Sequence, residues 1–244
     1  MKNLSLLFLM LICSAGVGYS QSGQIPLIGA KAPVFTAETT NGTLNFPDDY
    51  GKNWKVLMSH PKDFTPVCTS ELLELAYMQQ AFEDLGVKLA VISVDNLNQH
   101  AMWKAHLEEL DYKGRGAQKI HFPLIDDHSM QVSRKYGMLH SPTSTSRDIR
   151  GVYIISPDNI IRSINFYPTE VGRNMKEIER TVIALQTARD ETVYTPANWN
   201  KGEDLIVPHL PYRHADRSNV QLTDLQESDK YYSVGNRLWF KRAE

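Results

Sequence analysis

Cys68 closes the run Pro61-Lys62-Asp63-Phe64-Thr65-Pro66-Val67-Cys68, a loop stiffened by proline near both ends. Pro66 suits the first position of a helix, where its missing N–H is no loss, and Thr65 before it is a good N-cap. A helix that begins there holds Cys68 in its first turn. Unpaired backbone N–H groups and the positive end of the helix dipole then favour an anion at the sulfur, so thiolate is stabilised over thiol. Thiolate is the form that attacks an electrophile such as a peroxide oxygen. Thr65 lies three residues earlier, and its hydroxyl has two roles open to it, capping the helix and hydrogen-bonding a bound substrate. The rival reading of Cys68 is a buried cysteine acting as a small hydrophobe.

Two more ionisable residues flank this loop. His60, just before Pro61, is placed either to move a proton or to sit as a hydrogen-bonded core histidine. Glu71 follows Cys68 by about one helical turn, where it either orients an arginine such as Arg173 or faces solvent.

The chain has two cysteines, and the first, Cys13, falls in an N-terminal segment unlike the rest. Lys2 precedes an apolar run from Leu4 to Ile12, and small residues follow at Ser14, Ala15, Gly16, Gly18 and Ser20. This is the pattern of a secretory signal peptide, with cleavage expected after Ser20 and Ala15 as the alternative position. The apolar stretch falls short of the roughly 20 residues a bilayer span needs, which disfavours an uncleaved anchor. Ile12 stands where a lipoprotein signal would place a small residue before Cys13. The expectation is therefore an exported protein, periplasmic or secreted, with no membrane attachment once the signal is cut. Its mature chain holds one thiol. A single thiol cannot close a bridge within a chain, so an outside thiol must reverse its oxidation. Thr69-Ser70-Glu71 after Cys68 also excludes a Cys-x-x-Cys oxidoreductase.

The elements that position Cys68 are legible as apolar periodicities. Trp54 to Ser59 reads as a buried strand, and Leu72, Leu75, Ala76, Phe82 and Leu85 recur at helical spacing until Gly86. Val87 to Val94 is a continuous apolar strand of the kind found in a sheet covered on both faces. A helix from about Leu97 to Leu110, a strand at Phe122 to Ile125 and a short helix from Ser129 to Tyr136 come next. Gly151 to Ser156 and Ile160 to Phe166 flank the turn Pro157-Asp158-Asn159 as a β-hairpin, and Asn174 to Ala188 is the last long helix. Residues 21 to 46 read only as a polar, proline-containing approach. The order describes an α/β layer fold with a central mixed sheet flanked by helices. From Pro196 the segments shorten and become rich in Pro, Asp and aromatics, as in a small C-terminal domain.

At 244 residues and 42% apolar content the chain can bury one sizeable core with a small second unit. A formal charge of −2 gives no basic excess for nucleic acid or an anionic membrane surface.

The spacing Pro61-x-x-x-Thr65-x-x-Cys68 resembles the active-site motif of peroxiredoxins. The longer string from His60 to Glu71, HPKDFTPVCTSE, resembles their one-cysteine class related to peroxiredoxin 6, and the likeness runs on through Gly172-Arg173-Asn174 and beyond Pro196. The resemblance implies a thioredoxin-like fold over residues 21–194, a C-terminal peroxiredoxin domain over 195–244, and a homodimer. It places the peroxidatic cysteine on Cys68, the peroxide-binding threonine and proline on Thr65 and Pro61, and the active-site arginine on Arg150. A guanidinium there would favour thiolate and polarise the peroxide. The substrate implied is a hydroperoxide and the reductant an external thiol. The chemistry calls for no metal, haem or other cofactor.

Two rival classes remain open. Some relatives of peroxiredoxin 6 carry a phospholipase activity on a Gly-x-Ser-x-Gly segment. The matching stretch here is Gly51-Lys52-Asn53-Trp54-Lys55, with Asn53 where the nucleophile would stand. A non-catalytic binding or holdase protein on the same fold is the other, and peroxide consumption discriminates it.

Overall fold

The computed structural model describes residues 25–190, 193–208, 226–235 and 238–243. The segment read as a signal, with its cleavage point after Ser20, lies outside the described residues. At the centre of the main sheet β3 (Trp54–Ser59), β4 (Val87–Ser93) and β5 (Leu124–Asp126) run parallel. β6 (Arg150–Ile155) and β7 (Ile161–Tyr167) extend it antiparallel beyond β3. On the far side a hairpin of β1 (Phe35–Thr39) and β2 (Gly42–Phe46) joins β5, giving seven strands in the order β2-β1-β5-β4-β3-β6-β7. The sheet is mixed, as its sequence pattern predicts.

Side chains alternate across this sheet as the strand period requires. Val56, Met58, Leu89, Val91, Val152 and Ile154 pack beneath the long helices α1 (Pro66–Asp84), α2 (Leu97–Leu107) and α4 (Met175–Asp190), which contribute Leu72, Leu75, Trp103 and Val182. Leu57, Ala90, Ile92, Tyr153 and Ile155 face the opposite layer, where Phe35, Phe46 and residues of and after α3 (Gln131–Lys135) cover them. Each large aliphatic side chain so enclosed contributes about 1.5–3 kcal/mol. β4 can be apolar almost throughout because both faces are covered.

The connections follow local chemistry. α1 ends where Gly86 takes φ 68°, a left-handed position glycine adopts without strain. α2 starts with a reciprocal capping box between Asn96 and Gln99. It stops at Leu107, three residues before the expected Leu110. The N–H groups of Glu109 and Leu110 reach back only three residues, to His106 and Leu107, so the final turn tightens out of α geometry while keeping a helical look in sequence.

The approach region is a second departure from expectation. Phe35, Ala37 and Thr39 face across to Phe46, Leu44 and Gly42 in a regular antiparallel register. Phe35 and Phe46 stack at 5.1 Å, so the hairpin is held by aromatic contact rather than by its polar tip.

After α4 the chain forms a small sheet in the order β8-β10-β9, from β8 (Leu205–Ile206), β9 (Tyr231–Val234) and β10 (Leu238–Lys241). It is tied to the main body through α4: Trp199 packs with Ala184, and its carbonyl accepts from Arg180 at 2.7 Å. The aromatic tail builds this sheet from within. Tyr232 and Phe240 stack at 5.1 Å, and Trp239 is buried against Val207.

Candidate active site

The C-terminal end of β3 and the start of β6 meet behind Cys68. Ser59 Oγ donates to Ile149 O at 2.7 Å and accepts from Gly151 N at 2.8 Å. The approach is so close that a Cβ on Gly151 would lie 2.9 Å from Ser59 Oγ, which explains a glycine as the second residue of a buried strand. This junction sets Arg150, the first residue of β6, against the first turn of α1.

Cys68 is the third residue of α1 and has no exposed surface. Arg150 Nη1 lies 3.1 Å from its sulfur and 2.9 Å from Glu71 Oε2. Arg150 is aimed by the backbone carbonyl of Thr169, which accepts from Nε at 3.0 Å and from Nη2 at 2.5 Å. Arg173 completes the cluster. Its backbone N and its Nε donate to Glu71 Oε1, its Nη2 donates to Glu71 Oε2 at 2.7 Å, and its Nη1 donates to the carbonyls of Ser59 and Gly151. Of the two roles open to Glu71, orienting arginine is the one observed, and it orients two. Glu71 is 2% exposed. Burial pushes its carboxyl toward neutrality, but the charge and hydrogen bonds of Arg173, with Arg150 beside them, hold it below the ordinary glutamate range.

The charges therefore sum in a definite way. Two guanidinium groups and one carboxylate leave a single positive charge out of water, and a thiolate at Cys68 brings the total to zero. At 3.1 Å and an effective dielectric of 20, the Arg150–thiolate attraction is on the order of 5 kcal/mol before desolvation. A helix terminus supplies about 0.3–2 kcal/mol. Arg150 thus outweighs the helix dipole that the sequence alone brings forward.

The remaining residues fall into place unevenly. Pro61 is buried at the base of the loop. Thr65 occupies the N-cap position with extended backbone, φ −96° and ψ 148°, yet its side chain makes no cap. Its Oγ1 donates instead to Lys62 O at 2.9 Å, because Phe64 before it turns left-handed, φ 58°, and folds the loop back on itself. The expected capping role is thereby corrected, and the hydroxyl lone pairs are left without a helix N–H. His60 does not join the arginine cluster. Its Nε2 pairs with Asp63 Oδ1 at 2.8 Å and its ring packs on Trp103 at 5.1 Å, the core-histidine arrangement.

Three functional groups escape the sequence reading. The Thr169 carbonyl is backbone and carries no residue signal. Asp63, an acid inside the loop, and His100, a histidine in the first turn of α2, become partners only through the fold. His60, Asp63 and Asp95 bring ligand atoms within 4.8 Å of one another, a spacing a metal ion would accept. These carboxylates already accept from His60, His100, Ser93 and a backbone N–H. Asn53, at the position of a hydrolase serine, donates from Nδ2 to Tyr50 O at 2.9 Å and serves as a turn residue.

Residues 28–164 match the model of the AhpC/TSA family, and residues 184–215 match that of the C-terminal domain of 1-Cys peroxiredoxin. A peroxiredoxin of Methanosarcina mazei is 49% identical over 185 residues, 75% of this chain and 84% of that one. The chain belongs to the peroxiredoxin family. A peroxiredoxin of Thermotoga maritima is 38% identical over 214 residues, covering 86% of this chain and 97% of that one. Among solved structures, a yeast mitochondrial 1-Cys peroxiredoxin superposes with a TM-score of 0.76 at 33% identity, over 90% of this chain and all of that one. A cysteine-to-serine mutant of peroxiredoxin 6 of Arenicola marina gives 0.75 at 31% identity, over 90% and 99%. This peroxiredoxin is a thiol-dependent peroxidase with a thioredoxin-like fold, acting on peroxide at the expense of a thiol reductant.

Glu71 makes the cluster sensitive to acid in a calculable direction. Its carboxyl binds protons less readily folded than unfolded, so its stabilisation is complete above the ordinary value of 4.5 and is lost as pH falls through the lower folded value. Glu71→Gln is expected to lower the unfolding free energy by about 3 kcal/mol near neutral pH, because two buried guanidinium groups lose their counter-charge. Urea unfolding across a pH series should show the gap to wild type closing below 4.5, where protonated Glu71 resembles Gln. A gap that stays constant down to strong acid would contradict the ion-pair assignment.

Proposed function

We propose that Cys68 is oxidised as a thiolate held by Arg150, with Thr65 and Pro61 shaping the peroxide subsite. The observation that carries this reading is the 3.1 Å contact between Arg150 Nη1 and Cys68 Sγ inside a cluster that is one negative charge short of neutrality. The sulfur attacks the terminal oxygen of ROOH, so an S–O bond forms as the O–O bond breaks. Sulfur loses two electrons to the peroxide, Cys68 becomes a sulfenic acid, and the released alkoxide takes a proton to leave as ROH. Arg150 donates toward the oxygen on which charge develops. Thr65, whose hydrogen is engaged by Lys62 O, offers lone pairs to the hydroperoxide O–H. Pro61 has no N–H and stiffens the wall.

A small thiol then attacks the sulfenic acid, water leaves, and a second thiol frees Cys68 from the mixed disulfide. The yeast protein's resolving mechanism is described as running through glutathione and thioredoxin systems, which supports a low-molecular or protein dithiol source here.

Cys68→Ser should keep the fold and abolish peroxide consumption. Arg150→Ala should lower the second-order rate of Cys68 oxidation about 100-fold or more, since an oriented charge is removed from the reacting atoms. Stopped-flow measurement decides both, and a Cys68→Ser protein with wild-type turnover would end the assignment.

Export and self-association belong to the same reading. The charged start, apolar run and small residues before Gln21 support processing after Ser20 and delivery to a periplasm or the extracellular space. N-terminal sequencing of protein from its native host is expected to begin at Gln21, and an intact Met1 chain in the cytoplasm would defeat it. β7 ends the seven-stranded order, and its outer edge invites a second copy, which supports a homodimer. Light scattering at micromolar concentration is expected to give twice the chain mass, and a monomer mass would rule against the dimer.

A further inference from the structure

His60, Asp63 and His100 form a buried line from the end of β3, through the Cys68 loop, to α2. Asp63 is the middle member and uses both oxygens: Oδ1 lies 2.8 Å from His60 Nε2, and Oδ2 lies 2.8 Å from His100 Nδ1. The other nitrogen of His100, Nε2, lies 3.0 Å from the Ile125 carbonyl oxygen. Both histidine side chains are wholly enclosed, and that of Asp63 is 1% exposed.

Counting hydrogens decides what each ring must be. A carbonyl oxygen only accepts, so His100 Nε2 carries a hydrogen. Burial pushes the Asp63 carboxyl upward, but its bonds to His100 and His60 hold it below the usual aspartate range. Oδ2 is then a carboxylate oxygen that also only accepts, and His100 Nδ1 carries a hydrogen as well. His60 is different. Burial holds its proton affinity down, so it is neutral with its hydrogen on Nε2 facing Asp63. Its Nδ1 is bare and has no partner among the described residues.

The geometry points to His100 as a buried imidazolium, a positioning residue that keeps Asp63 ionised and so fixes both the Cys68 loop and the Nε2–H form of His60. The groups facing this pair come from every neighbouring element. His60 stands at the end of β3 and Ile125 in β5, Trp103 of α2 packs on the His60 ring, and Asp95 after β4 accepts the Asp63 N–H at 2.8 Å. Asp63 lies five residues before Cys68. Its two imidazole bonds and its backbone bond to Asp95 are what hold that stretch of loop against β3 and α2.

The consequence for rate rests on the peroxidase reading of Cys68; the consequence for protonation does not. His100→Gln keeps a neutral amide of similar reach but removes the charge. Asp63 then takes up a proton at higher pH than in wild type, and a protonated Asp63 no longer accepts from both neighbours. The damage is therefore greatest in mild acid and recedes as Asp63 ionises. A histidine that merely filled space would, when replaced, slow the reaction equally at every pH.

The test has two arms. In the reduced full chain, labelled with 15N-histidine, NMR near neutral pH is expected to show hydrogen on both nitrogens of His100 and on Nε2 alone of His60. In stopped-flow, oxidation of Cys68 by hydrogen peroxide in His100→Gln is expected to be about tenfold slower than wild type at mildly acidic pH and to approach wild type at mildly alkaline pH. A singly protonated His100, or a rate loss of the same size across the range, overturns the proposal. The NMR arm needs no variant, so it decides the matter even if His100→Gln fails to fold. A wild-type Cys68 inert to peroxide would end the reading of Cys68 and leave the state of His100 to the spectra.

Discussion

The site depends on the positive charge that two buried arginines leave over one buried carboxylate. Arg150 and Arg173 share one carboxylate, Glu71, and all three are nearly out of water. Taking charges out of water is unfavourable by several kcal/mol per ion unless each is paired and hydrogen-bonded. Glu71 receives four hydrogen bonds, and Arg173 also directs both hydrogens of Nη1 to backbone carbonyls. Arg150 is left facing the sulfur. On the reading proposed above, a thiolate there is at once the reactive species and the missing counter-charge.

The architecture follows from having to assemble that cluster from distant parts of the chain. Cys68 and Glu71 come from one face of α1, Arg150 from the start of β6, Thr169 from just after β7, and Arg173 from just before α4. β3 brings them together, since it pairs with both β4 and β6 and its last residue, Ser59, is bonded to Ile149, Gly151 and Arg173. The apolar layers on the two faces of the sheet make that junction rigid, because close-packed cores transmit rather than absorb small displacements. The loop from His60 to Thr65 is anchored separately, through Asp63, so the reacting atom is fixed from two sides.

Much of this was legible in the amino-acid sequence, for physical reasons that also mark where the reading stopped. Continuous apolar runs and one helical spacing, bounded by Gly86, Pro66 and the turn at Pro157, located β3, α1, β4 and the β6–β7 hairpin. The Pro61 to Cys68 spacing marked the nucleophile, and the one-turn offset of Glu71 placed it on the same helix face. Three features were hidden. The β1–β2 hairpin alternates apolar residues with polar ones, and the polar set dominates its composition. Thr65 has the right type for a cap but loses that role to a left-handed Phe64. The Thr169 carbonyl and the Asp63–His100 pair act through backbone or through contacts 37 residues apart, which no local pattern encodes.

In the proposed reading, reduced Cys68 stands as a thiolate because Arg150 faces it. Raman spectroscopy of the reduced chain with Cys13→Ser, so that Cys68 is its one thiol, reads this directly from the sulfur–hydrogen stretch. No such band is expected near neutral pH, and one should appear in Arg150→Met, where the guanidinium is gone and the cavity stays filled. A clear sulfur–hydrogen band near neutral pH with Arg150 in place would contradict it.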